Sequence, residues 1–255
     1  MPTVREIQRA TPDEPLTMLT AYDAPTAAIV DEAGIDVILV GDSVGNAVLG
    51  YDSTLPVTME QVASHTGAVA RAVDDALVVA DMPFLSYGTS EAEGIENAGR
   101  LIKESGANAV KLESGPHTVE LTERLVELGI PVMAHLGLTP QRVNQVGGYT
   151  RQGTEEAAAA EIRELAERHE AAGAFSLVLE HVPDELAASV TDALDIPVIG
   201  IGAGGETDGQ VLVVTDVIGL SESVPPFVEE FGDVRGEMED AVAAYRDAVE
   251  DGSFP

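Results

Sequence analysis

The chain of 255 residues contains no cysteine and no tryptophan, and only 4% of its residues are aromatic. Without cysteine, disulfide bonds and thiolate chemistry are excluded. No apolar run approaches the roughly 20 residues that cross a bilayer, and the N-terminal stretch MPTVREIQRATPDEP has no apolar signal core. Hydrophobic residues still make up 45% of the chain, enough for a large aliphatic core. These features predict a cytoplasmic protein without a membrane span.

Basic residues are also scarce: 13 Lys and Arg stand against 45 Asp and Glu, for a net charge of -32, and the only lysines are Lys103 and Lys111. Nucleic acid and anionic membranes need basic patches, so both are excluded as partners. Disorder is excluded by the high apolar content. At roughly 1 M salt the Debye length is about 3 Å, so a strongly acidic surface repels itself little. The composition therefore predicts a halophilic source.

Short runs rich in valine and isoleucine alternate with longer stretches of helical periodicity. The runs span residues 16–22, 36–42, 76–81, 108–114, 130–137, 174–180 and 196–204, with a weaker eighth at 215–220. They are nearly continuous rather than alternating, as expected of parallel strands covered on both faces. The clearest helix spans 154–173, from a threonine to a glycine.

This order of elements predicts a single-domain α/β protein, a (β/α)8 TIM barrel. An N-terminal extension would span residues 1–15, and an acidic helix with a tail would span about 234–255. An open, doubly wound sheet is the alternative architecture.

Five of the predicted strands carry an ionisable residue at their carboxyl end or within two residues of it. In chain order these residues are Asp42, Asp81, Glu113, His135 and Glu180. In a barrel all carboxyl ends of the strands meet at one face, where active sites lie. Any one of these carboxylates could simply cap a loop, but five such strand ends together favour a site. A donor set rich in carboxylates and without cysteine predicts Mg2+ or Mn2+, with Asp42 and Asp81 as the first ligands.

Lys111 lies inside an apolar strand, AVKLE, in a chain that has almost no lysine. The alternation of side chains places Lys111 and Glu113 on one face, where the lysine could bind a substrate carboxylate or Glu113. Nearby anions would keep its amine protonated, which argues against a Schiff base. The alternative is a surface lysine whose stem packs on the strand.

The remaining signals are weaker. The glycine-rich segment 200–210 is as consistent with a tight turn as with a phosphate-binding loop. His65 and His169 lie in predicted helices and His117 near a helix start, so ordinary solvated or capping roles are expected for them.

Nine stretches of the chain resemble the ketopantoate hydroxymethyltransferase family, and they cover roughly residues 18 to 220 in order. They read MLTAYDAP, DVILVGDSVGNAVLGYDSTLPVT, HTGAVARA, VVADMPFLSYG, NAGRLIKESGANAVKLESG, GIPVMAHLGLTPQ, GGYTRQG, AGAFSLVLEHVP and IPVIGIGAGGETDGQVLV. The resemblance implies a (β/α)8 barrel that transfers a one-carbon unit from 5,10-methylenetetrahydrofolate, or a related pterin, to 3-methyl-2-oxobutanoate. The product would be 2-dehydropantoate, on the route to pantothenate and coenzyme A.

The resemblance also implies roles for individual residues. Asp42 and Asp81 correspond to Mg2+ ligands that also contact substrate, and Glu113 to a further ligand or a water-mediated neighbour. Ser43 and Lys111 correspond to substrate-binding residues. Glu180 corresponds to the proton acceptor, and His135 corresponds to the active-site histidine beside that base.

Members of the family form homo-oligomers, often decamers, which the resemblance extends to this chain. The sequence departs from the family pattern at Thr150 and Arg151, at Thr207, and in an acidic segment at 225–233.

Three other functions are consistent with parts of the sequence. A Mg2+-dependent carbon–carbon lyase of the isocitrate-lyase type would share the barrel, but such lyases use a cysteine acid. A phosphate-binding isomerase or synthase would use the glycine-rich segment and need no metal. A non-catalytic oligomeric scaffold would leave the ionisable strand ends unexplained.

The acidic composition leads to a first prediction. Transfer from roughly 1 M KCl to salt-free buffer should lower the unfolding temperature, because unscreened carboxylates then repel each other. Circular dichroism melting would measure the effect. Sucrose at matched osmolality is the control, since it favours compact states without screening charge. An unchanged melting temperature in salt-free buffer would refute the halophilic interpretation.

Overall fold

The computed structural model of the chain describes residues 3–9 and 14–254. The chain divides into two compact units, Met1–Val211 and Leu212–Pro255. The first unit carries almost all of the sheet and every ionisable strand end named above.

The described residues form eight strands that pair in chain order as a closed barrel, and the successive pairs from β1–β2 to β7–β8 are parallel. The strands are β1 (Leu16–Thr20), β2 (Val37–Val40), β3 (Leu77–Asp81), β4 (Ala109–Glu113), β5 (Val132–Gly137), β6 (Ser176–Glu180), β7 (Val198–Ile201) and β8 (Gly209–Leu212). The TIM-barrel prediction is confirmed, and the open sheet is wrong.

Helices lie between the strands, before the first strand and after the last. They are α1 (Val4–Ile7), α2 (Ala24–Glu32), α3 (Val44–Ala47), α4 (Met59–Ala70), α5 (Glu91–Lys103), α6 (Val119–Glu127), α7 (Val143–Val146), α8 (Glu156–Ala171), α9 (Asp184–Thr191), α10 (Val214–Val217) and α11 (Val234–Glu250). A 3-10 turn, Pro140–Arg142, precedes α7. The helix predicted at 154–173 is α8, and Gly173 follows it with a φ of 92°. No helix in the described ranges is both long and apolar enough to span a membrane.

One predicted strand is wrong. The sequence predicts the eighth strand at 215–220, but that segment begins within α10, and β8 is Gly209–Leu212 instead. The true strand escapes detection because it is short and its burial alternates, so it forms no continuous apolar run. A Cβ at Gly209 would lie 2.5 Å from the Leu16 carbonyl oxygen, so the glycine permits close approach to β1.

The barrel interior is apolar at one end and polar at the other. Its apolar cluster consists of Ile7, Leu16, Met18, Val37, Leu39, Leu77, Val79, Ala109, Met133, Phe175, Val178, Ile199 and Val211. Two residues beyond members of this cluster, and therefore on the same strand face, stand Asp81, Lys111, His135 and Glu180. The apolar layer thus forms the floor beneath the ionisable strand ends.

The structure describes only part of the predicted N-terminal extension, whereas it describes the whole of the predicted C-terminal helix. Residues 3–9 of the expected extension contribute Ile7 to the interior cluster, while residues 1–2 and 10–13 lie outside the described ranges. In the second unit, α11 begins at Val234 after an Asp233 cap, matching the predicted start of the C-terminal helix.

Gly137 provides a test of backbone packing at the barrel mouth. Its φ is 92°, and a Cβ there would lie 2.3 Å from the Glu180 carbonyl oxygen. Gly34 is a matched control, because its φ is 82° but nothing lies within 4 Å of its Cβ position. Gly34→Ala should lose about 1 kcal/mol of unfolding free energy from backbone strain alone. Gly137→Ala should lose clearly more, by about 1–3 kcal/mol, in urea unfolding at high salt. Equal losses would contradict this packing argument.

Candidate active site

Asp81 and Lys111 form a buried ion pair at the mouth of the barrel. They are register partners on β3 and β4, and Lys111 Nζ lies 2.6 Å from Asp81 Oδ2. The backbone N–H of Asp42 donates to the same carboxylate oxygen over 3.3 Å. The structure thus brings together three of the residues that the sequence singled out.

Lys111 is held in its charged form. Burial alone would lower its pKa, but the carboxylates of Asp81, Asp42 and Glu113 outweigh burial and raise the pKa above its usual value. The amine therefore stays protonated, as the sequence predicted, and is a poor nucleophile for a Schiff base. The alternative of a surface lysine is wrong, because Lys111 is only 4% exposed.

Asp42 lacks full compensation for its charge. Burial and the nearby Asp81 carboxylate raise the pKa of Asp42 to about 7, although Lys111 and a hydrogen bond from Gln141 act in the opposite direction. That bond runs from Gln141 Nε2 to Asp42 Oδ2 over 2.9 Å. Two buried carboxylates beside a single ammonium carry an excess negative charge, which an additional cation would compensate.

The residues fit a divalent cation held by two carboxylates. Asp81 Oδ1 is buried and has no hydrogen-bond partner among the described residues, although its other oxygen accepts two bonds. Such an orphaned oxygen beside Asp42 suits Mg2+, which takes one or two protein carboxylates and completes its shell with water and substrate oxygens. Within residues 3–9 and 14–254, no three His, Asp or Glu side chains form a ready metal site.

Glu113 is the third predicted metal ligand, and its carboxylate is already engaged. Both of its oxygens accept from the backbone N–H of Gln141, at 3.0 and 3.1 Å. Burial, followed by the Asp42 charge, raises the pKa of Glu113 well above its usual range. This geometry suits a neighbour of the metal better than a direct ligand.

His135 and Glu180 form a second group, at the ends of the neighbouring strands β5 and β6. His135 Nε2 lies 3.2 Å from Glu180 Oε2. Burial, then the Lys111 charge, lowers the pKa of His135, so the ring is neutral near pH 7. The Glu180 charge also acts on Asp42, which connects the two groups electrostatically.

Glu180 is only partly buried, unlike the other four ionisable strand ends. Its side chain is 20% exposed, because it stands at the very end of β6, where the barrel opens. His181 follows with a positive φ of 49°, a conformation rare for residues other than glycine, and turns the chain sharply after the carboxylate. Glu180 is thus accessible from the mouth.

Two more groups border the site. Ser43 is half-buried, and its Oγ lies 2.7 Å from the Tyr22 hydroxyl. Burial and the charges of Asp42, Glu180 and Glu113 raise the pKa of Tyr149, which places this half-exposed phenol within their field.

Sequence reasoning missed Gln141, Tyr87 and Tyr22. Tyr22 ends the first apolar run and could have been included with the ionisable strand ends. Gln141 lies in a loop after β5 and carries no charge, so composition and periodicity gave no signal for it. The expected solvation of His169 is wrong: the ring is fully buried in α8, and burial lowers its pKa to about 4.

Comparison with known families agrees with this geometry. The sequence profile described as ketopantoate hydroxymethyltransferase matches residues 2–255. The chain belongs to the ketopantoate hydroxymethyltransferase family. The family predicted from the nine stretches is confirmed, and with it the prediction that the protein is an enzyme, a hydroxymethyltransferase.

The curated relatives cover the whole chain. A 3-methyl-2-oxobutanoate hydroxymethyltransferase of Haloarcula marismortui is 72% identical over 100% of this chain and 94% of its own. The protein of the same name from Halobacterium salinarum is 68% identical with the same coverage, and that from Clostridium novyi is 52% identical over 99% of this chain and 93% of its own.

Solved structures support the fold alone. Phosphoenolpyruvate phosphomutase from Streptomyces platensis subsp. rosaceus superposes with a TM-score of 0.65 at 16% identity, covering 98% of this chain and 87% of its own. A 2,3-dimethylmalate lyase gives a TM-score of 0.60 at 17% identity, covering 98% and 85%. Both share the barrel that the described strands form.

The two lysines of the chain provide a matched test of the buried ion pair. Lys111→Met should lose about 3–5 kcal/mol of unfolding free energy, because it leaves buried carboxylates uncompensated. Lys103→Met, at the exposed end of α5, should change it by less than about 0.5 kcal/mol. Urea unfolding at high salt with a chelator present would measure both. Similar losses in the two variants would show that Lys111 does not compensate these carboxylates.

Proposed function

We propose that the chain transfers a hydroxymethyl unit from 5,10-methylenetetrahydrofolate, or a related reduced pterin, to C3 of 3-methyl-2-oxobutanoate. The product is 2-dehydropantoate, a precursor of pantothenate and coenzyme A. The observation that carries the proposal is the arrangement of Asp42, Asp81 and Lys111 in one buried group, with the accessible carboxylate of Glu180 at the same mouth of the barrel. Family membership and the names of the relatives support the substrate.

Asp42 and Asp81 are the residues that would hold Mg2+. When bound, the metal supplies Lewis-acid stabilisation for the negative charge that develops on the 2-oxo group as C3 loses its proton. The oxygen best placed to coordinate the metal is Asp81 Oδ1, which is buried and has no hydrogen-bond partner among the described residues. Glu113, engaged by Gln141, supports the site from beside it.

Lys111 would bind the carboxylate of the 2-oxo acid. Its ammonium has three donor hydrogens, and the structure uses one on Asp81. The pair fixes the position of Nζ, while burial strengthens its attraction for an anion. Ser43 follows Asp42 directly in the chain, between β2 and α3. Its hydroxyl could donate a hydrogen bond to the substrate.

Glu180 would take the proton from C3, as the general base. Its partial exposure leaves the carboxylate open to substrate entering the mouth. His135 is neutral, so it can orient Glu180 without a full ion pair that would weaken it as a base. The carbanion at C3 would then form the new carbon–carbon bond to the electrophilic methylene of the pterin. The bonds from that methylene to the pterin nitrogens break, water supplies the hydroxyl oxygen of the product, and the reduced pterin leaves without its one-carbon unit.

Three further expectations belong to this proposal. We propose a homo-oligomer, with the decamer of the family as the expected size, acting in the cytoplasm. We propose a halophilic archaeal source, which the relatives in Haloarcula and Halobacterium support together with the charge of -32. The lyase alternative is disfavoured because the chain has no cysteine to act as its acid.

The exchange of C3–H with solvent deuterium tests the base. Wild type with Mg2+ should exchange this proton of 3-methyl-2-oxobutanoate in high-potassium D2O, as followed by proton NMR. Glu180→Gln should slow the exchange by at least about 100-fold, the range typical of a lost general base. Glu185→Gln, an exposed carboxylate on α9, is the control and should match wild type.

Each result has a defined meaning. Exchange retained in Glu180→Gln would remove that residue from the role of base. If wild type shows no exchange, methylenetetrahydrofolate is added, since some enzymes remove the proton only with both substrates bound. If neither exchange nor product then forms, the proposed substrate pair is wrong.

A further inference from the structure

One uncharged residue connects most of the site. Gln141 is 5% exposed and lies in the 3-10 turn after β5. Its Nε2 donates to Asp42 Oδ2 over 2.9 Å and to the Met82 carbonyl oxygen over 3.0 Å. Its backbone N–H donates to the Glu113 carboxylate. A single residue of one loop thus contacts groups at the ends of β2, β3 and β4.

The side-chain amide of Gln141 has one favourable orientation. Turning it over would point its oxygen at the Asp42 carboxylate and the Met82 carbonyl, which are both acceptors. In the observed orientation both amide hydrogens are donated, and Oε1 lies 2.8 Å from the Tyr87 hydroxyl. Because Oε1 can only accept, Tyr87 must be the donor in this contact. The hydrogen bonds therefore lock the amide.

Local sequence explains why the backbone N–H of Gln141 is available. Thr139 is extended, as residues before proline usually are, and Pro140 opens the 3-10 turn without an N–H of its own. The N–H of the next residue therefore begins the turn without a partner inside it. The Glu113 carboxylate accepts it, which fixes the loop to β4.

We infer that Gln141 is a positioning residue that holds the Asp42 carboxylate in the orientation required for a divalent cation and fastens Glu113 beside it. This inference rests on the proposed function, because the cation is part of that proposal. It adds a residue that does not itself need to touch metal or substrate. Tyr87 acts one step further out, by locking the amide.

A purely structural role would give a different result. A residue that only connects the loop to the barrel would, on substitution, lower the melting temperature and leave metal affinity unchanged. A positioning residue would weaken metal binding even in a well-folded variant. Partners that orient metal ligands typically contribute 10- to 100-fold to metal affinity.

Titration with Mn2+, followed by electron paramagnetic resonance at high KCl, separates the two roles. Gln141→Met keeps the length of the side chain but removes its donors, and should bind Mn2+ about 10- to 100-fold more weakly than wild type. Tyr87→Phe removes the hydrogen bond to Gln141 Oε1, together with a longer contact of 3.4 Å to the Glu113 carbonyl oxygen, and should weaken binding by a smaller factor. Gln152→Met is the matched control, because this glutamine lies in the neighbouring loop and its side chain bonds only Thr150 in the described structure.

The outcomes are separable. Wild-type Mn2+ affinity in a folded Gln141→Met, checked by circular dichroism melting, would overturn the inference and leave the proposed function intact. If Gln141→Met does not fold, Tyr87→Phe decides, since unchanged affinity there overturns the inference and weakened affinity supports it. If wild type itself binds no Mn2+, the metal-dependent function fails and this inference fails with it. Weakening in Gln152→Met equal to that in Gln141→Met would also overturn it.

Discussion

The buried ion pair of Lys111 and Asp81 is the interaction on which the rest of the site depends. Four carboxylates, those of Asp42, Asp81, Glu113 and Glu180, act on each other in the barrel mouth, and Lys111 is the one cation the described residues place among them. Charges removed from water need compensation, and one ammonium compensates only part of this set. Burial, followed by this uncompensated negative charge, raises the pKa values of Asp42 and Glu113.

The barrel makes this concentration of charge tolerable. Below the ionisable residues the interior is filled by an aliphatic cluster, which includes Met18, Val79, Met133 and Ile199. That cluster supplies the stability that the polar end cannot, and it keeps water from reaching the site from beneath. Because neighbouring parallel strands hold their residues in register, Asp81 lies beside Lys111 and Glu113 lies beside His135. The strands therefore determine the positions of these four side chains.

The sequence predicts this strand-borne part of the site well, for a physical reason. Alternation and strand order place Asp81, Lys111, Glu113, His135 and Glu180 on one face at one end, whatever the loops do. The eighth strand was misplaced because its four residues carry no apolar run and its glycine serves a contact with another strand.

The role of Gln141 could not be predicted from the sequence. It is a neutral residue in a loop, and its contacts with Asp42 and Glu113 depend on the conformation of that loop. The degree of burial of Glu180 was also beyond reach. It depends on where the loop after β6 turns, and the positive φ of His181 determines that turn.

The acidity of the chain and the charges of the site both affect how the protein could bind an anionic substrate. A protein of net charge -32 repels an anionic 2-oxo acid at long range in dilute buffer. At roughly 1 M salt that repulsion is screened within about 3 Å, so the approach of the substrate is governed by contacts inside the mouth. There, Lys111 and the cation proposed for Asp42 and Asp81 would be little screened, because these residues are buried. A salty cytoplasm would thus screen the repulsion between the acidic surface and the substrate, but not the attraction of the buried cations for it. This difference would allow such an acidic protein to bind an anionic acid.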